Sequence, residues 1–150
     1  MASATPQRLP VDETTAESVN KAFKLEGFFP EFNGELCGKV FPRSGIEQFR
    51  PGERLIEQGE NGRDLFLLLA GEAVVTRTAD QLAAEAGRLG PGALIGEMAL
   101  LADGVRSATI TAAVPVFAFR LVYEDVGYIL QNNPELAEHL KELARVRTAR

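Results

Sequence analysis

The stretch Gly96-Glu97-Met98-Ala99-Leu100-Leu101-Ala102-Asp103-Gly104-Val105-Arg106-Ser107-Ala108-Thr109-Ile110 decides how this chain is read. It sets one glycine, one acid and one arginine around a short loop and helix turn, inside an apolar, strand-rich region. Arginine presents parallel N–H donors that match a phosphate-like anion. A short helix opening at Glu97 would aim free backbone N–H groups at the same anion. Gly96 lets the backbone approach without a Cβ. Ala99 and Ala108 keep the walls small. Glu97 is the wrong charge for the anion, so a hydroxyl is its natural partner. Together these groups suit a small anion that carries a free sugar hydroxyl. The plainer reading of Glu97 and Arg106 by themselves is an ion pair across a turn.

Outward from this run, the chain alternates short apolar stretches with glycine-bearing turns. Residues 48–50, 54–57, 65–69, 73–78, 86–89, 107–113 and 116–121 read as strands. Pro51-Gly52 and Pro91-Gly92 mark turns between them, because proline presets the φ that such turns need. Strands this short, at this spacing, predict an antiparallel β jelly roll or barrel of about eight strands over residues 46–121. Residues 80–84 read as a variable hairpin tip.

Both flanks read as helical, which makes the fold class α+β. Val19, Ala22, Phe23 and Leu25 sit near helical spacing, and Phe32, Leu36, Val40 and Phe41 suggest a second short helix ended near Pro42. The helical segment thus covers about residues 16–41, and residues 1–14 read as a mobile tail. Beyond the strands, one helix is expected over residues 125–131. Asn133 can cap another, with Pro134 at its first position, so the C-terminal helices cover about residues 123–149. Leu136, Leu140 and Leu143 form a stripe on it that fits core packing, a dimer seam or a lid over a ligand. Residues 15–150 are therefore expected to form a single domain.

Composition narrows the function. The net charge of −5 argues against a nucleic-acid polymer as partner. No apolar run approaches the roughly 20 residues of a membrane span. Cys37 is the single cysteine, which rules out an intrachain disulfide and implies a reducing, cytoplasmic location. It is expected to be a small buried residue on a helix. The single histidine, His139, lies on the terminal helix and is expected to be exposed. A metal-dependent enzyme on a jelly roll needs several inward ligands, usually histidines. No Ser-His-Asp or Cys-His set can be assembled on the strands either. Neither a catalytic residue nor a metal ligand is therefore assigned.

The quoted run resembles the phosphate-binding cassette of the cyclic nucleotide-binding domain family, placed here at residues 95–110. That family includes the domains of cAMP receptor proteins, protein kinase A regulatory subunits and channels. The cassette reads roughly Gly-Glu-x-Ala-Leu, some variable residues, then Arg-x-Ala-Thr/Ser-Val/Ile. The resemblance extends over about residues 20–148, through Pro51-Gly52-Glu53, Gln58 to Gly62, Leu65 to Leu69, Gly71-Glu72-Ala73 and Leu89 to Gly92.

The resemblance implies that Glu97 takes the ribose 2′-hydroxyl and Arg106 the cyclic phosphate. Gly96, Met98, Ala99, Ser107 and Ala108 complete the cradle. Ser107 leaves cAMP and cGMP both open as ligands, with cAMP favoured. Val75, Ala86 and Ile95 stand where the base pocket usually lies, and Leu140, Leu143 and Arg147 are candidates for its lid. The resemblance implies no cofactor beyond that ligand. Arg150 follows soon after the last helix, so a stand-alone sensor acting in trans on an effector protein is expected, with a homodimer through the terminal helix as an option. The alternative is a protein-interaction domain of the same fold that no longer binds nucleotide.

Overall fold

The computed structural model describes residues 11–100 and 105–148, without the side chains of Met98, Ala99, Arg147 and Thr148. Residues 1–10 of the tail expected over residues 1–14, residues 101–104 of the cassette and the terminal residues 149–150 lie outside it. Helices α1 (Glu13–Phe23) and α2 (Gly34–Val40) come first, joined through a 3-10 turn at Leu25–Gly27. Among the described residues eight strands follow: β1 (Gly45–Phe49), β2 (Arg54–Ile56), β3 (Leu65–Ala70), β4 (Ala73–Ala79), β5 (Leu82–Leu89), β6 (Leu94–Ile95), β7 (Thr109–Ala112) and β8 (Val116–Leu121). A 3-10 turn at Glu97–Leu100 lies between β6 and β7. Helices α3 (Tyr123–Asn132) and α4 (Pro134–Thr148) close the described chain.

The strands form two antiparallel four-stranded sheets, ordered β1-β8-β3-β6 and β2-β7-β4-β5. This is the expected α+β jelly roll. The Leu65–Leu69 run lacks the alternation of a half-exposed strand because both faces of β3 are covered. Phe66 and Leu68 point between the sheets, where they join Phe49, Ile110, Val116 and Ala118. Leu65 and Leu67 point the other way, onto Val19, Phe23, Val126, Leu136 and Leu140 of the helices. A strand buried on both sides reads as a continuous apolar run.

Three boundaries differ from the sequence reading. Helix α1 starts at Glu13, inside the expected tail, because Asp12 caps it: its carboxylate accepts from the Thr15 N–H at 2.8 Å. Strand β5 starts at Leu82, so the expected soft tip shrinks to a two-residue turn. Asp80 and Gln81 both have positive φ there, 51° and 66°, as a type I′ hairpin turn requires. Helix α3 starts at Tyr123, because Asp125 fastens its first turn. Asp125 Oδ2 accepts from the Arg43 N–H at 3.0 Å and the Ser44 hydroxyl at 2.6 Å, and the Ser44 oxygen accepts from Val122 N–H at 3.1 Å. The cap expected at Asn133 is in place: its side-chain oxygen accepts from Leu136 N–H at 3.1 Å.

His139 is a correction. It is not exposed but half-buried, with Nε2 at 2.8 Å from the Phe23 carbonyl and its ring 5.0 Å from that of Phe28. It therefore packs α4 onto the end of α1.

Cys37 is fully buried on α2, as expected. Burial pushes its thiol up to about 12 from 9.0. Between those values the unfolded chain has lost a proton that the folded chain keeps, so stability falls as pH rises through that window. One such proton contributes about 1.4 kcal/mol per pH unit. Cys37→Ala is expected to flatten this part of the alkaline slope, read as the difference between the two proteins in urea unfolding at about pH 8 and about pH 10.5.

Candidate ligand-binding site

Arg106 is the centre of the site. Its residue exposure is 9 %, low for an arginine. The loop between β2 and β3 grips its main chain on both sides. Arg106 N–H donates to the Glu60 carbonyl at 2.9 Å, and the Arg106 carbonyl accepts from Gly59 N–H at 2.8 Å. Asn61 and Val105 form an isolated antiparallel bridge next to these bonds. Gln58 pins the same loop, donating from its N–H to Thr109 Oγ1 at 2.9 Å and bonding the Thr78 backbone through its amide.

The guanidinium threads between two glycines. A Cβ built on Gly62 would lie 2.9 Å from Arg106 Nε and Nη2. A Cβ on Gly96 would lie 2.6 Å from Nη1 and 2.9 Å from the Asp64 carbonyl oxygen. Gly96 also has φ +85°, a conformation that L side chains rarely adopt. The guanidinium donates from Nη2 to the Asp64 carbonyl at 2.8 Å. Burial lowers its pKa from the ordinary arginine value and Arg120 pushes the same way, while Asp64 and Glu60 pull upward. A buried cation of this kind gains by meeting an anion.

Arg106 stands against a cavity of about 300 Å³ whose lining also includes Leu55, Gly62, Phe66 and Arg120. Behind it lies an ionic array absent from the sequence reading. Arg120, on β8, donates from Nη1 to both Glu47 oxygens at 3.1 and 3.2 Å. Its Nε and Nη2 reach Asp64 Oδ2 at 2.8 and 2.7 Å. Its carbon Cζ lies 5.3 Å from the centre of the Phe66 ring. Asp64 Oδ1 accepts from Tyr123 N–H at 2.8 Å. Burial lowers the Arg120 pKa, but Asp64 and Glu47 outweigh it and the balance lies above the ordinary value. The sequence held a signal: Arg120 stands two residues after Ala118, on the strand face that turns Val116 and Ala118 between the sheets.

Glu97 is half-buried and opens the 3-10 turn Glu97–Leu100. The described ion pairs do not join it to Arg106, which turns to Asp64. Ser107 is exposed and Ala108 buried. Ile95 is 1 % exposed and pairs with Phe66. Val75 packs on the core between the sheets, and so does Leu89, which is not among the residues expected at the base pocket. Ala86 is exposed, at the point where the β4–β5 register slips between Val75 opposite Gly87 and Thr76 opposite Glu85.

Leu136 and Leu140 face the helical core together with Leu100 and Ala144, and Leu143 packs against it. Within the chain Leu136 and Leu140 are core. Helix α4 also lies on the 3-10 turn that Glu97 opens. The side chains of Met98, Ala99 and Arg147 lie outside the described residues. Among the described residues no cluster of three His, Cys, Asp or Glu could hold a metal ion. No helix of the described residues is long and apolar enough to cross a membrane.

Comparison with known proteins agrees with this architecture. The family model for the cyclic nucleotide-binding domain matches residues 46–133, more than half of the chain. The chain belongs to that family. It is 37% identical over 85 residues to a cAMP-dependent protein kinase regulatory subunit of Mycosarcoma maydis, a match that covers 57% of this chain and 16% of that protein. Among solved structures it is similar to a cyclic nucleotide-binding domain of Methylobacillus flagellatus, with TM-score 0.75, 23% identity, and coverage of 95% of this chain and 83% of that one. The regulatory domain of Toxoplasma gondii PKA, crystallised with cAMP, shares the fold at TM-score 0.66 and 22% identity, over 87% of this chain and 48% of that one.

Proposed function

We propose that this chain is a cAMP-binding sensor, regulatory rather than catalytic, that acts on an effector protein. The observation that carries the reading is the buried Arg106 guanidinium threaded between Gly62 and Gly96, beside the turn that Glu97 opens. A cyclic phosphate is a monoanion with two exocyclic oxygens, and a guanidinium matches it with parallel donors. Glu97 takes the ribose 2′-hydroxyl, and Gly96, Met98, Ala99, Ser107 and Ala108 form the surrounding cradle. Val75, Ile95 and the neighbouring Leu89 face the base. The relative from Mycosarcoma maydis is by name cAMP-dependent, and the Toxoplasma neighbour was crystallised with cAMP, which supports adenine over guanine.

Signal leaves the site through packing. Leu100, at the end of the cassette turn, shares a core with Leu136, Leu140 and Ala144 of α4. A nucleotide that binds one placement of that turn better than another shifts α4 by the same difference in affinity. The moved helix is what the effector reads. Calorimetric titration of cAMP, and separately of cGMP, into protein refolded free of nucleotide tests the reading. Micromolar or tighter binding of cAMP, with cGMP weaker, is the expected result. Binding of neither at high protein concentration overturns it in favour of a nucleotide-free interaction domain.

A further inference from the structure

We propose that Glu47 on β1 is a positioning residue for the anion site, acting on Arg106 through Arg120 and Asp64. The inference rests on the cAMP reading for its binding assay but not for its geometry. Glu47 is 1 % exposed, between the core residues Ile46 and Phe49. Burying a carboxylate is costly even when it is paired, and apolar side chains of similar size are often as stable or more so. Stability alone gives no reason for an acid at this position.

What Glu47 does is visible in its partners. Arg120 uses one arm on both Glu47 oxygens, at 3.1 and 3.2 Å, and the rest of its fork on Asp64 Oδ2 at 2.8 and 2.7 Å. The Glu47 arm fixes the plane of the Arg120 fork, and the fork fixes Asp64. Asp64 in turn offers its carbonyl to Arg106 Nη2 at 2.8 Å and its free carboxylate oxygen to Tyr123 N–H, also at 2.8 Å. Four side chains carry two charges of each sign, so the array is neutral while Arg106 stays available at one end. One carboxylate on β1 thereby sets both the pose of the phosphate ligand and the start of α3.

Direct electrostatics and positioning predict opposite signs. If Glu47 acted only as a nearby negative charge, it would repel the phosphate, and Glu47→Gln would bind cAMP more tightly. As a positioning residue its loss weakens binding, because glutamine holds only part of the Arg120 arm. Coupling within one hydrogen-bonded network corresponds to a loss of about tenfold. The experiment compares the wild-type chain with Glu47→Gln, Arg120→Lys and the double variant. Each is titrated with cAMP, and each is observed without ligand through the 15N side-chain signal of Arg106.

The expected result is weaker binding in both single variants, a double variant little worse than either, and an Arg106 signal that moves in all three. Arg120→Lys keeps the charge and loses the fork, so it carries the test if Glu47→Gln does not fold. Unchanged or tighter binding with an unmoved Arg106 signal overturns the proposal. Should the wild type not bind cAMP, the functional reading fails, and the Arg106 signal still decides whether Glu47 positions it.

Discussion

Arg106→Ala is expected to weaken cAMP binding by about 30-fold to several thousand-fold. Truncating one member of a buried charge pair costs roughly 2–5 kcal/mol, at about 1.4 kcal/mol per decade. The guanidinium donates to the Asp64 carbonyl, and burial lowers its pKa. Its charge is therefore largely desolvated by the fold itself, and little reorganisation is needed to meet a phosphate. Alanine removes the charge and both donor arms at once. Glu97→Ala is expected to lose less, since it removes hydrogen bonds to a neutral hydroxyl. Titration calorimetry measures both, with thermal unfolding as the control for folding. If Arg106→Ala binds like the wild type, the site lies elsewhere.

The fold was legible because the signals for it are local. Turn residues punctuate the strands, Asn133-Pro134 caps α4, and the doubly covered β3 shows as an unbroken apolar run. The misplaced boundaries share one cause: a side chain standing in for a more familiar signal. Asp12 caps α1 in a stretch that reads as tail, and Asp80-Gln81 makes a turn usually built with glycine. Asp125 starts α3 through Arg43 and Ser44, partners some eighty positions earlier in the chain. His139 shows the same limit, since nothing near it in sequence announces the Phe23 carbonyl.

The site divides likewise. Gly96, Glu97 and Arg106 fall within one short run, so spacing exposes them. Glu47, Asp64 and Arg120 come from three different strands or loops, and only the pairing of β1 and β3 with β8 brings them together. The leucine stripe was ambiguous because periodicity gives a face but not its partner. Leu136 and Leu140 pack with Leu100 in the helical core, which connects α4 to the cassette.

Gly96→Ala is expected to abolish measurable cAMP binding at micromolar ligand, and Gly62→Ala to weaken it severely while leaving the fold nearly intact. The two glycines flank the same guanidinium but differ in what a methyl group meets. At Gly62 the three nearest atoms all belong to the Arg106 guanidinium, with Nε and Nη2 at 2.9 Å. That is a flexible side chain, so the domain can relieve the clash by moving Arg106 off its station. Stability should then change little, and the loss should appear in affinity. At Gly96 the methyl meets Arg106 Nη1 at 2.6 Å and the Asp64 carbonyl at 2.9 Å, on a backbone with φ +85°. Backbone cannot swing aside as a side chain can, and an L residue held in this region costs of order 1–3 kcal/mol.

Gly96→Ala should therefore lower the unfolding midpoint as well as displace the arginine. Because Asp64 also holds Tyr123 N–H, a shift of its backbone should loosen the start of α3, seen as faster amide exchange there. Measuring both variants separates the two effects. Affinity lost at Gly62 without loss of stability assigns the role of these glycines to room for the guanidinium. Equal loss of stability at both positions would instead make them structural turns, with Arg106 a bystander to their conformation.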